Sequence, residues 1–144
     1  MNVSEKGIAL IKKLEGCELQ AYKCTSGVWT IGYGHTGSEV HKDLKITLKE
    51  ADIYLKYDLI IHTNNVNKLV KVPLNQNQFD ALVSFVFNVG YGHFKDSTLL
   101  RLLNQGKYKE ASEQFARWIY SDGKVSGGLI NRRAQEKALF VSPC

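Results

Sequence analysis

One short segment interrupts a chain that is otherwise helical in pattern, and it narrows the folds available. Leu19 to Cys24 and Val28 to Tyr33 are aromatic and β-branched runs around Thr25 to Gly27. That is the composition of a β-hairpin, with Cys24 at its turn and Thr30 in its second strand. Before it, Ser4 caps a helix carrying Ile8, Ile11 and Glu15 on one face with Leu14 beside them, which puts Glu15 in the last turn. After it, Thr47 to Glu50 forms a capping box that opens a long amphipathic helix to about Thr63. Asn75 to Gln78 opens an apolar helix that follows the break at Pro73 and ends at Gly90. Ser97, Gly106 and Gly127 with Gly128 punctuate three more helices, Thr98 to Gln105, Tyr108 to Tyr120 and Leu129 to Phe140. A lone hairpin among helices predicts an α+β fold. A small helix-plus-hairpin lobe, about 15–46, would be joined by a helix over about 47–63 to an all-helical lobe, about 64–144, that includes the N-terminal helix. No repeat or long linker divides the 144 residues, so one domain is expected.

Composition excludes several classes. At 44% hydrophobic and 23% charged, the chain has enough apolar residues for a core and too many to be disordered. Its N-terminal apolar run, Ile8 to Ile11, is too short for a signal segment, so no export address or stable membrane insertion is expected. Three cysteines are too few for a secreted disulfide framework and favour synthesis in a reducing compartment. No Cys and His spacing suggests a metal site, and no cofactor is expected. The net charge of +5 is uneven: residues 101–144 carry 8 Lys and Arg against 4 Asp and Glu, and residues 1–100 carry 11 against 10. These cations are scattered over several segments without a nucleic-acid motif, which fits a polyanionic envelope better than nucleic acid. Solubility alone would also explain them.

Glu15, Cys24 and Thr30 place a carboxylic acid, a thiol and a hydroxyl at fixed spacing, and Gly32, Gly34 and His35 follow directly. The pattern E-x8-[D/C]-x5-T followed by Gly-x-Gly-His resembles the phage-type lysozymes, or endolysins, a family of glycosidases. Two further segments, Gln78 to Gly90 and Gly128 to Glu136 with its Asn-Arg pair, also resemble family motifs and come in the expected order. The resemblance therefore covers nearly the whole chain. It implies the same two lobes with a cleft between them, and a muramidase acting on peptidoglycan.

Glu15 is the candidate general acid. At a helix C-terminus it faces the negative end of the macrodipole, and an apolar border of Ile8 and Ile11 would favour the protonated form that a glycosidic oxygen requires. By position alone it reads as a solvated acid at a frayed helix end. The resemblance also implies a guanidinium partner, Arg132; Arg133 reads more readily as a surface arginine at a helix start. Cys24 stands where the family more often has Asp. A free thiol is mostly neutral at pH 7, so it would act as a base or anionic stabiliser only where its surroundings favour thiolate. On composition alone it is a small packing residue. Thr30 would orient a water through its hydroxyl, although a β-branched residue suits a strand without any function. Phe87 and Asn88 match the family's cleft-lining pair, Asn having both a donor and an acceptor suited to an N-acetyl group. For His35 the resemblance implies a structural ion pair with Asp58.

The expected function is hydrolysis of the β-1,4 bond between N-acetylmuramic acid and N-acetylglucosamine, causing host lysis. Glu15, Cys24 and Thr30 would do the chemistry, with Phe87, Asn88 and Arg132 on the glycan. The protein would be a monomer that accumulates in the host cytoplasm and acts at the wall after release. A lytic transglycosylase, which needs one acid and yields a 1,6-anhydro sugar, is an alternative. So is a wall-binding module that lost its chemistry when Cys replaced Asp. Cys17 and Cys24, seven residues apart across a chain reversal, either bridge and silence the second group or remain two unrelated thiols.

Overall fold

Short-range side-chain chemistry sets the helix starts in the computed structural model, which describes residues 1–24 and 26–144. Thr25, part of the expected hairpin turn, lies outside the described residues. The elements in chain order are α1 (Glu5–Glu15), β1 (Glu18–Lys23), β2 (Trp29–Gly32), β3 (His35–Thr36), α2 (Leu48–Leu69) and α3 (Gln76–Val89). There follow α4 (Tyr91–Lys95), α5 (Thr98–Asn104), α6 (Tyr108–Glu113), a 3-10 turn at Gln114–Arg117, β4 (Tyr120–Ser121), β5 (Lys124–Val125) and α7 (Gly127–Val141). The fold is α+β. It divides into two compact units, Ala9–Ile61 and Met1–Ile8 with His62–Cys144.

In the smaller unit, the expected hairpin is present and gains a third strand. The antiparallel sheet has the order β1-β2-β3, with Tyr22 opposite Thr30, Thr30 opposite Thr36 and Ile31 opposite His35. β1 is irregular between Glu18 and Tyr22. Gly32 has φ 65°, a left-handed backbone that favours glycine where β2 ends beside Ala51 of α2. Ile11, Ile31, Val40, Ile46, Ala51, Leu55 and Leu59 form this unit's core. α2 opens on a reciprocal cap, the Glu50 amide donating to Thr47 Oγ1 (3.1 Å) and the Thr47 amide to Glu50 Oε1 (3.0 Å).

The larger unit is built on α3, which packs most extensively against α7. Asn75 accepts from the Gln78 amide and Gln78 reaches back to the Asn75 amide, giving the expected box. Phe79, Ala81, Leu82, Val83, Phe85 and Val86 are buried along α3. Phe85 meets Phe94, Phe115 and Trp118 edge-on at centroid distances of 6.2, 5.3 and 5.6 Å, the arrangement the ring quadrupoles favour. The N-terminus is tied to α3, where the Ser4 amide donates to Asp80 Oδ1 at 2.9 Å and the Ser4 hydroxyl to Asp80 Oδ2.

Three boundaries differ from the sequence reading. α2 continues to Leu69, past Thr63, because Val66 is wholly buried and extends the apolar face. The helix expected over Tyr108 to Tyr120 stops at Glu113 and tightens into the 3-10 turn, and the chain then makes the ribbon β4-β5. Asp122 and Gly123, with φ 51° and 76°, form that ribbon's turn, and Asp-Gly between Tyr120 and Val125 is a hairpin signal that was present in the sequence. α4 was also not expected; it starts directly after Gly90, whose φ of 91° breaks α3.

Candidate active site

Glu15 is the last residue of α1 and is half-buried, followed by Gly16 at φ 70°. The chain reverses there and enters β1 at Glu18. Antiparallel pairing then sets Tyr22 opposite Thr30, so both side chains leave the same face of the sheet, and Cys24 follows directly after the strand. The Tyr22 phenol is held above its usual pKa by burial first, then by the negative charges of Glu15, Glu18 and Cys24. Thr30 is the cross-strand partner of Tyr22.

The turn converts Cys24 into an acid of nearly neutral strength. Its amide donates to the Val28 carbonyl at 3.0 Å and its carbonyl accepts from the Gly27 amide at 2.8 Å, which closes a tight loop around the sulfur. Cys24 Sγ lies 2.9 Å from Ser26 Oγ. That hydroxyl foremost, then the Val28 and Ser26 backbone amides and the Thr30 hydroxyl, lower the thiol from 9.0 to about 7. Donors gathered around the sulfur favour its anion. Thr30 is 4% exposed, and its hydroxyl donates to the Val28 carbonyl at 3.0 Å.

His35 is structural. Its Nδ1 lies 2.8 Å from Asp58 Oδ2 and its Nε2 2.5 Å from Glu39 Oε1, and the ring stacks on Tyr54 at 4.2 Å. Burial pulls its pKa down, but hydrogen bonds to Glu39 and Asp58 more than offset this and raise it. The Asp58 partner is the one expected, and Glu39 is a second that the sequence reading missed. Cys17 and Cys24 are both free thiols. Cys24 Sγ is engaged with the Ser26 hydroxyl at 2.9 Å. Lys12, one turn before Glu15, pairs with Asp52 of α2 at 3.0 Å and lies over the Tyr33 ring at 5.4 Å, which anchors the end of α1.

In the larger unit, Phe87 is half-buried on α3 with its ring 5.1 Å from that of His62, and Asn88 is exposed beside it. Arg132 is buried and donates to Glu136 Oε2 at 3.2 Å and to the Ser84 carbonyl at 3.0 Å. The reading of Arg133 as a surface residue is corrected: it is 2% exposed and donates to Glu136 Oε1 at 2.6 Å, to the Trp118 carbonyl at 2.8 Å and to Asn88 Oδ1. Glu136, wholly buried, also accepts from Ser84 Oγ at 2.6 Å. Two arginines on one helix need a buried carboxylate between them, and Glu136 provides it three and four residues on. Asn88 and Arg133 line a cavity of about 710 Å³ with Trp118, Tyr120, His93 and Arg117. Among the described residues, no group of three or more His, Cys, Asp or Glu could hold a metal ion. No described helix is long and apolar enough to cross a membrane.

A helix ending in an acid, a three-stranded sheet carrying a thiol and a hydroxyl, and a helical unit around an apolar α3 define a lysozyme-like α+β protein. Residues 12–136 match the model of the phage lysozyme family. The chain is 52% identical over 144 residues to the endolysin of Bacillus phage PZA and 42% identical over 146 residues to that of Salmonella phage P22. These alignments take in 99% of this chain in both cases, with 56% of the PZA protein and 99% of the P22 protein. The muramidase domain of SpmX from Asticaccaulis excentricus superposes with a TM-score of 0.92 at 44% identity, covering 99% of each chain. The chain belongs to the phage lysozyme family. It spans just over half the length of the Bacillus phage relatives.

Proposed function

We propose that the protein is a muramidase that hydrolyses the β-1,4 bond between N-acetylmuramic acid and N-acetylglucosamine in peptidoglycan, as an endolysin at the end of a phage cycle. What supports this reading is the placing of Glu15 at the end of α1, Cys24 directly after β1 and Thr30 in β2, in a chain of this family. Glu15 gives its proton to the leaving glycosidic oxygen as the bond to the muramic anomeric carbon breaks. A water oxygen takes that carbon, and its proton passes to the Cys24 thiolate, with Thr30 holding the water. The thiol's value of about 7 makes both of its protonation states accessible at the working pH. Phe87, Asn88 and Arg132 bind the glycan.

The substrate places the reaction at the cell wall, following synthesis in the host cytoplasm, with the protein acting as a monomer and without nucleic acid. The test is turbidity loss of purified sacculi for wild type beside Glu15→Gln, with mass spectrometry of the products. Wild-type clearing with reducing muramyl ends, and none by the variant, is the expected result. Clearing by Glu15→Gln near the wild-type rate removes the acid assignment, and 1,6-anhydro products replace hydrolysis by transglycosylation.

A further inference from the structure

α2 is apolar on two opposite faces, and the fold uses one of them. Ala51, Leu55 and Leu59 are buried in the core of the smaller unit. On the other side of the helix Ile53, Tyr57, Ile60 and Ile61 are 46, 66, 57 and 59% exposed. Their helical spacing sets them side by side over two turns, so they form one stripe rather than scattered surface residues. A contiguous apolar stripe on a water-facing helix marks a contact surface.

The charges beside the stripe indicate what it meets. Lys49 and Lys56 are exposed and, two turns apart, lie along one flank of it. The acids of the same stretch are engaged within the protein: Glu50 accepts from the Thr47 amide at 3.0 Å, Asp52 pairs with Lys12 at 3.0 Å, and Asp58 lies 2.8 Å from His35. A second copy of this chain would bring more lysines to the contact, and an anionic polymer would offer nothing to the apolar side chains. We infer that this face of α2 is an interfacial docking surface for a bilayer containing anionic phospholipid. The helix lies along the headgroups with Ile53, Ile60 and Ile61 against the upper acyl chains. Tyr57 sits at the depth that suits an amphipathic ring, and Lys49 and Lys56 extend to phosphate. The net charge of +5 attracts the whole chain to the same surface. Binding is peripheral and reversible, because one stripe with two cations is a weak anchor and no described helix is long and apolar enough to cross a membrane. This contact is independent of the hydrolytic reading, since it uses no residue of the candidate active site.

The test is co-sedimentation of the full chain with vesicles of phosphatidylethanolamine and phosphatidylglycerol, and with vesicles of phosphatidylcholine alone, over a salt series. Wild type should bind the anionic vesicles, bind the zwitterionic ones much less, and dissociate as salt screens the lysines. Ile60→Ser with Ile61→Ser, at two exposed positions, should weaken binding roughly tenfold, because two apolar side chains no longer leave water. Lys49→Gln with Lys56→Gln should weaken it roughly tenfold or more and flatten the salt dependence. Lys107→Gln with Lys109→Gln removes the same charge from exposed positions of the larger unit and should have much the smaller effect. Circular dichroism checks that each variant is folded. A wild type that stays in the supernatant beside anionic vesicles at low salt overturns the proposal, as does binding that survives the two isoleucine substitutions. Equal effects of the two lysine pairs would reduce the contact to net charge and overturn it as well. A dimer in sedimentation velocity that Ile60→Ser with Ile61→Ser abolishes, without vesicle binding, would give the stripe to a second copy instead.

Discussion

A single-thiol protein, with Cys17→Ser and Cys144→Ser, isolates the titration of Cys24. With the thiol lowered to about 7, chiefly by Ser26, roughly a tenth of it is thiolate at pH 6, about half at pH 7 and roughly nine-tenths at pH 8. A thiol left at 9.0 would be only about 1% ionised at pH 7. Only the thiolate is alkylated, so the iodoacetamide rate followed by mass spectrometry from pH 5.5 to 9.5 should have its midpoint near 7. Ser26→Ala removes the leading cause and should move the midpoint up towards 9.0. Sacculus clearing should rise along the same curve if the thiolate takes part in the reaction. Cys24→Asp, with an ordinary carboxyl value near 3.9, should then remain active roughly three pH units lower. A wild-type midpoint near 9.0, or one that ignores Ser26→Ala, refutes the electrostatic account of the turn. Clearing that stays flat from pH 6 to 8 while alkylation titrates would show a thiolate that the reaction does not use.

Glu136→Gln should cost about 3–5 kcal/mol in urea denaturation, because it leaves Arg132 and Arg133 buried without their shared carboxylate. Arg133→Leu should destabilise at least as much as Arg132→Leu; a surface-like loss under about 0.5 kcal/mol would contradict its burial. The His35 pairing should show a pH window in thermal melts of His35→Gln against wild type. His35 is raised from 6.5, so its contribution is complete below that value and fades as pH rises through the folded value; Glu39 is lowered from 4.5, so its contribution is complete above that and fades in acid. The melting difference should therefore be largest between about pH 4.5 and 6.5, and a difference that grows above pH 8 would reverse the assignment. Gly7→Ala places a Cβ 2.7 Å from both Asp80 Cγ and Val3 Cγ2 and should cost about 1–3 kcal/mol by calorimetry, whereas an unchanged melt would show that the N-terminal segment yields freely.

Local chemistry was legible in the order of residues. The caps at Thr47, Asn75 and Ser97 satisfy amides three residues away, and the hairpin between Leu19 and Tyr33 follows from its own β-branched and aromatic composition, so no distant part of the chain was needed to read them. The spacing of Glu15, Cys24 and Thr30 was equally visible. The Asp122 and Gly123 turn could have been read by the same rules, and the helical period around it concealed the signal. Only the tertiary structure decided the rest, because burial and charge partners come from residues far apart in sequence. It ended α2 at Leu69, where Val66 still finds a core, and it placed Arg133 inside the protein against Glu136 and Trp118. It also joined the Asn88 oxygen to a guanidinium 45 residues away. The ionisation of Cys24 lies between these cases: Ser26 and Val28 are its near neighbours in sequence, but their donors reach the sulfur only once the hairpin has closed around it.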